Sequence, residues 1–167
     1  MTNILNRFGT TKAVADMLRT DTGTLYGNRK LINNISSSPT EYTNERVSIV
    51  KPYNLFCWIE EGTPVEVRAS NSYIDYLVSL RFRAKQKNFD KAYESFDKAY
   101  ERIEVLVNYQ MSEGLMMTNF YSDPNAQIYN IEMTGSNLSS PEDNGEGLVV
   151  LEATGAILVQ INRYEQP

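Results

Sequence analysis

One amphipathic run, opened by a capping residue and closed by a glycine, constrains the fold more than anything else in the chain. From Phe89 the residues Ala92, Tyr93, Phe96, Ala99, Tyr100, Ile103, Leu106, Val107 and Met111 recur every three or four positions, the period of one helical face. Asn88 precedes the run and Gly114 follows it. An Asn side chain can accept an orphan amide at a helix start, and Gly can take the positive φ that ends one. The opposite side carries Asp90, Lys91, Glu94, Asp97, Lys98 and Glu101, with Glu94 four residues before Lys98, a favourable spacing for an ion pair. Such a helix is roughly 36 Å long. Burying its stripe contributes on the order of 15–25 kcal/mol before chain entropy is subtracted. The motif Phe-Asp-Lys-Ala-Tyr-Glu at 89–94 returns at 96–101, yet one repeated heptad is too short for a coiled coil. The helix therefore calls for a sheet beneath it.

Strand patterns supply one. Residues 53–59 are rich in aromatics and end at Glu60, Glu61 and Gly62, as a strand meeting a turn would. Residues 73–83 alternate: Ile74, Tyr76, Val78, Leu80 and Phe82 on one face, Tyr73, Asp75, Ser79, Arg81 and Arg83 on the other, with only Leu77 out of step. One face buried and one polar favours antiparallel pairing. A third strand is predicted over 128–133, and 148–163 reads as one long strand with a bulge at Thr154 and Gly155, or else as a hairpin. A short helix capped by Thr10 or Thr11 is expected to run to about Thr20, with Val14, Met17 and Leu18 inward. Flexible loops are expected at about 33–46 and 136–147, where Ser, Pro, Asn and Gly cluster. The order is helix, strand, strand, long helix, strand, strand. It predicts an α+β fold, with a four-stranded, mainly antiparallel sheet covered on one face by the long helix and the short N-terminal one. At 167 residues, 1–167 is expected to be a single domain.

The residues missing from the chain restrict its chemistry. It has no histidine and one cysteine, Cys57, so common zinc sites, Ser-His-Asp and Cys-His arrangements cannot be assembled from it alone. No catalytic residue, cofactor or metal ligand is expected. One cysteine also leaves no intrachain disulfide and fits a reducing compartment. A net charge of −5 gives no surplus for neutralising phosphates, so sequence-specific nucleic-acid binding is not expected. The polar start of the chain holds no signal-peptide core, and the aliphatic runs 148–151 and 156–159 are too short to span a bilayer. Four short motifs read as structure. Asp21-Thr22-Gly23-Thr24 spells the aspartic-protease tetrapeptide but follows a helix, so it reads as a turn. The stretch from Gly23 to Lys30 lacks the phosphate-loop spacing. The acidic run 142–146 lacks the order of a calcium loop and reads as solvated. Two glycosylation sequons, at Asn34 and Asn137, carry no meaning without secretion.

Charge placement is the more informative feature. Arg81, Arg83, Lys85 and Lys87 fall at alternate positions and so extend one strand face as a basic stripe. Glu60, Glu61 and Glu66, with Glu142 and Asp143, are expected to form separate acidic edges. Opposite patches on one domain suit head-to-tail association, which closes into a ring when the rotation allows.

The order of elements, the segment 55–62 (Leu-Phe-Cys-Trp-Ile-Glu-Glu-Gly), the alternating strand 73–83 and the closing stretch 147–165 resemble the tail terminator proteins of lambda-like bacteriophages. Ala153 to Val159 and Arg163-Tyr164-Glu165 carry most of the likeness at the C-terminal end. The resemblance covers most of the chain as architecture and short stretches as residues, and the segments 30–46 and 136–147 are longer than the family's pattern. It implies a hexameric ring of identical subunits that caps the tail tube, stops its polymerisation and offers a surface to a head-side neck or connector protein. It further implies a virion protein assembled in the host cytoplasm, with DNA passing through the ring. Another head–tail joining protein, or a non-viral adaptor domain, is the alternative expectation.

Overall fold

The computed structural model describes residues 3–20, 34–36, 55–59, 64–70, 72–138, 142–143, 147 and 149–164. The turn at 21–30, most of the loop at 33–46, the start of the strand at 53, and Glu60 and Glu61 lie outside them. The described elements are α1 (Arg7–Arg19), β1 (Asn34–Ser36), β2 (Leu55–Ile59), β3 (Val65–Ala69), β4 (Tyr73–Gln86), α2 (Phe89–Ser112), β5 (Ala126–Leu138), β6 (Glu142–Asp143) and β7 (Val149–Arg163).

The described strands form one sheet in the order β1-β2-β4-β7-β5, with β3 also on β4 and β6 also on β7. Its plan is four antiparallel ribbons. β2 and β3 run end to end along one edge of β4, and β5 and β6 do the same along β7. β1 adds a short parallel rung to β2. The fold is α+β, as the sequence predicts. β3 is a strand the pattern reading missed, although Val65-Glu66-Val67 alternates. β5 extends past Met133 to Leu138 and β6 follows, so part of the segment expected as loop is strand.

β7 corrects a second expectation. Its register with β4 runs unbroken from Tyr73↔Asn162 to Gln86↔Val149, straight through Thr154 and Gly155. The irregularity lies opposite, in β5 between Thr134 and Asn137. Gly155 has another reason to be glycine: a Cβ there would stand 3.1 Å from the Tyr100 ring. The bare backbone lets that ring lie on the sheet.

α2 begins at Asn88, whose side chain accepts the Lys91 N–H at 2.9 Å. It ends with Gly114 at φ 67°. Leu115 N–H bonds back to the Gln110 carbonyl and Gly114 N–H to the Met111 carbonyl, the paired bonds of a Schellman C-cap. Ala92, Phe96, Ala99, Ile103 and Val107 are buried. Phe89 and Tyr93, expected on the same face, are 43% and 42% exposed, whereas Ala92 between them is fully buried; the two rings lie at the margin of the buried stripe. Beneath α2 lie Val78, Leu80, Phe82 and Ala84 of β4, Leu151, Ile157 and Val159 of β7, and Ile128 and Ile131 of β5.

α1 is capped by Asn6 rather than Thr10 or Thr11: the Asn6 side chain accepts the Gly9 N–H at 2.8 Å. The two threonines are fully buried one turn inside the helix. Its Val14, Met17 and Leu18 join the same core as α2. The preceding segment is laced to the far end of the chain. Leu5 N–H donates to Asp123 at 3.1 Å, Arg163 donates to the Leu5 carbonyl at 3.2 Å, and Asn3 donates to the Phe120 carbonyl at 2.9 Å.

Gly9 packs so closely that an added Cβ would sit 1.7 Å from the Ile4 carbonyl oxygen. Gly9→Ala is expected to lower stability by roughly 2–4 kcal/mol. Gly135→Ala, with nothing within 4 Å, should stay within about 0.5 kcal/mol of wild type in denaturant unfolding.

Candidate docking face

Because α1 and α2 share one core, the other side of the sheet has no helical layer among the described residues. Strand alternation places Tyr73, Asp75, Leu77, Ser79, Arg81 and Arg83 of β4 there, beside Glu152, Thr154, Ala156, Leu158, Gln160 and Asn162 of β7. Most of these are half-buried, and Tyr73, Arg81 and Thr154 are exposed.

The face is graded along its strands. At one end Tyr73 meets Tyr129 edge to face, with ring centroids 5.6 Å apart. Next comes a polar rung across three strands: Asn130 donates to Gln160 at 2.6 Å, and Gln160 donates to Asp75 at 3.0 Å. Asp75 is only 6% exposed, so its carboxylate depends on such donors. Leu77 and Leu158 pair in the following rung, then Ser79 with Ala156, then Arg81 with Thr154. A hollow of 290 Å³ is lined here by Leu77, Ser79, Arg81, Thr134, Thr154 and Ala156.

The charged end differs in detail from the sequence reading. Arg81 and Arg83 lie on this face as expected, but the Arg83 Nε is 3.8 Å from Glu152. Lys87 is exposed just beyond β4. Lys85 pairs in register with Val150, and Val150 pairs on its other side with Glu142, while Asp143 pairs with Val149. β6, with its acidic pair, and the basic strand β4 are thus separated by one strand, β7. Glu66 faces the helical side, 3.7 Å from Arg7. The Asp75–Gln160–Asn130 rung and the Glu152 partner had no local sequence signal, since their members lie far apart in the chain.

On the helical side, the outer surface of α2 is held by Glu94, which bonds Lys98 at 2.6 Å and Lys91 at 3.1 Å. These two lysines hold the Glu94 carboxyl below its ordinary value, Lys98 foremost. The Tyr100 phenol donates to the Thr134 carbonyl at 2.5 Å, and burial, then Glu104, pushes its pKa up. It stays a neutral donor at physiological pH.

Among the described residues no group of three or more His, Cys, Asp or Glu side chains could hold a metal ion. No described helix is long and apolar enough to cross a membrane. Comparison with protein-family models finds no match, and comparison with curated proteins finds none either.

Two outcomes follow from these bonds. Asp75→Ala strips the Gln160 amide of its acceptor and should cost about 1–3 kcal/mol in chemical denaturation. Glu94, its folded pKa lowered, adds stability that is present above its unfolded pKa and lost as pH falls through the lower folded value. The melting-temperature gap between wild type and Glu94→Gln should therefore be open at neutral pH, close in acid, and shrink with added salt.

Proposed function

We propose that this chain is a structural subunit of a bacteriophage tail, of the tail terminator kind. Copies associate in a ring on the end of the tail tube, stop its growth and receive the head-side neck or connector protein. The ring has six members in the family the sequence resembles. The observation that carries this reading is the two-layer build itself. The order of a helix, two antiparallel ribbons, a long helix and two further ribbons leaves a graded, half-polar sheet face with no helical layer among the described residues. A docking surface of this extent suits a subunit that works by contact.

The physics of termination fits such a domain. A stop requires a ring whose two sides differ, one matching the tube's last ring and the other refusing another tube subunit. Contacts that are individually weak become firm when presented together, because each after the first is intramolecular. No proton transfer, cofactor or metal is called for, and DNA passing through the lumen needs no sequence readout.

Electron microscopy of phage particles made without this chain tests the reading. Overlong tails lacking heads are the expected outcome. Tails of normal length that fail to join heads would overturn termination in favour of a neck role. Normal particles would overturn both.

A further inference from the structure

We infer that the turn after α2 is a strained latch, and that it holds the segment 3–6 ahead of α1 as a strap that opens and closes without the rest of the domain. Met116 and Met117 stand at φ 41° and 61°, left-handed backbone that residues other than Gly, Asn and Asp seldom adopt. Two such residues in succession store strain, and they persist only where their surroundings over-determine them. Gln110 does so by accepting three consecutive amides. Its carbonyl takes the Leu115 and Met116 N–H groups at 2.9 and 3.1 Å, and its side-chain Oε1 takes the Met117 N–H at 2.8 Å. Gln110 is 9% exposed, so that side-chain bond stands in place of water.

The turn passes directly into the bonds of the strap. The Phe120 N–H donates to the Met117 carbonyl at 2.8 Å, and the Ser122 N–H donates to the Asn3 carbonyl at 2.9 Å. The Phe120 carbonyl in turn accepts the Asn3 side-chain amide at 2.9 Å, and Asp123 accepts the Leu5 N–H at 3.1 Å. On its other side the strap folds back on α1, where the Ile4 carbonyl occupies the room that a Cβ on Gly9 would fill. Turn and strap share these bonds, so whatever displaces one loosens the other to the same degree.

The strap is lightly anchored. Leu5 is its one buried apolar side chain, Asn3 is its buried polar one, and Ile4 and Asn6 are exposed. The sheet beneath α2 is held by far more, since β4 and β7 pair over fourteen unbroken rungs. An element with few apolar contacts and stored strain opens at a lower free energy than the core it lies on. Opening lets Met116 and Met117 leave the left-handed region, and it widens the hollow of 210 Å³ that Leu5, Asp123, Ala126 and Arg163 line. The latch requires nothing of a tail assembly and stands whether or not the chain caps a tube.

Native-state hydrogen exchange of the full chain, followed by NMR at rising denaturant, tests the latch. In wild type the Leu5, Met117 and Ser122 amides should share one opening, with little denaturant dependence. They should exchange at least about tenfold faster than amides at the centre of the β4–β7 ladder. Ile157→Val, in the core, should speed the ladder amides and leave those three unchanged. Met116→Val and Met116→Gly both cut back a half-buried side chain, but only valine is disfavoured at positive φ. The three amides should therefore exchange about tenfold faster in the valine variant than in the glycine variant, with circular dichroism confirming that both fold. If the three amides follow the ladder amides in wild type and in Ile157→Val, the strap is not a separate unit. Exchange at the rate of an unstructured chain would equally overturn it. Equal rates in the two Met116 variants would overturn the strained latch.

Discussion

The packing of Phe96 on Phe82, with Tyr100 laid on the bare backbone of Gly155, is where the long helix and the sheet meet, and the rest of the architecture depends on it. These rings sit over the middle of β4 and β7, the two longest strands, which pair without interruption. Seating α2 there buries one face of the central ribbons and sets the direction in which the helix crosses them. One helix of 24 residues and the shorter α1 together cover the apolar rungs of that face. What remains on the far side is, among the described residues, mostly half-buried and largely polar.

That surface contributes to the fold as well. The Asp75–Gln160–Asn130 rung couples three strands through side chains, and such cross-strand pairs favour one register over slipped ones. The β5 irregularities on either side of the 130–134 segment increase local twist and disturb the ladder at the sheet's rim, a common way of discouraging uncontrolled edge pairing. A sheet built in this way can offer its face to a partner while its rim resists one. The N-terminal segment adds a further constraint: Leu5 and Asn3 bond to the 120–125 loop and to Arg163, so α1 is fastened to residues from the opposite end of the chain.

Much of the fold was legible in the residues, and the failures have physical reasons. Both ends of α2 were marked by Asn88 and Gly114 because caps are local interactions. Threonines are good caps in general, but the helix starts one turn earlier, where Asn6 accepts the Gly9 N–H, and Thr10 and Thr11 lie buried inside it. A glycine within an alternating strand suggests a bulge, but Gly155 is instead a seat for an aromatic ring that arrives from another element. Phe89 and Tyr93 match the apolar period, yet they lie at the margin of the stripe, while Ala92 beside them is fully buried. Arg81 and Arg83 were placed on their face by alternation alone, whereas Glu152 and the polar rung became visible only once distant strands were paired.

By itself, then, the sequence determined periods, caps and the two-faced character of each strand, since those depend on residues within a few positions of one another. It also ruled out histidine- and disulfide-based chemistry by composition. Which strands pair, where Tyr100 comes to rest and that β6 follows β5 along β7 were decided by tertiary structure alone. Each of those depends on residues brought together across tens of positions, and only the burial of one shared core determines that alignment.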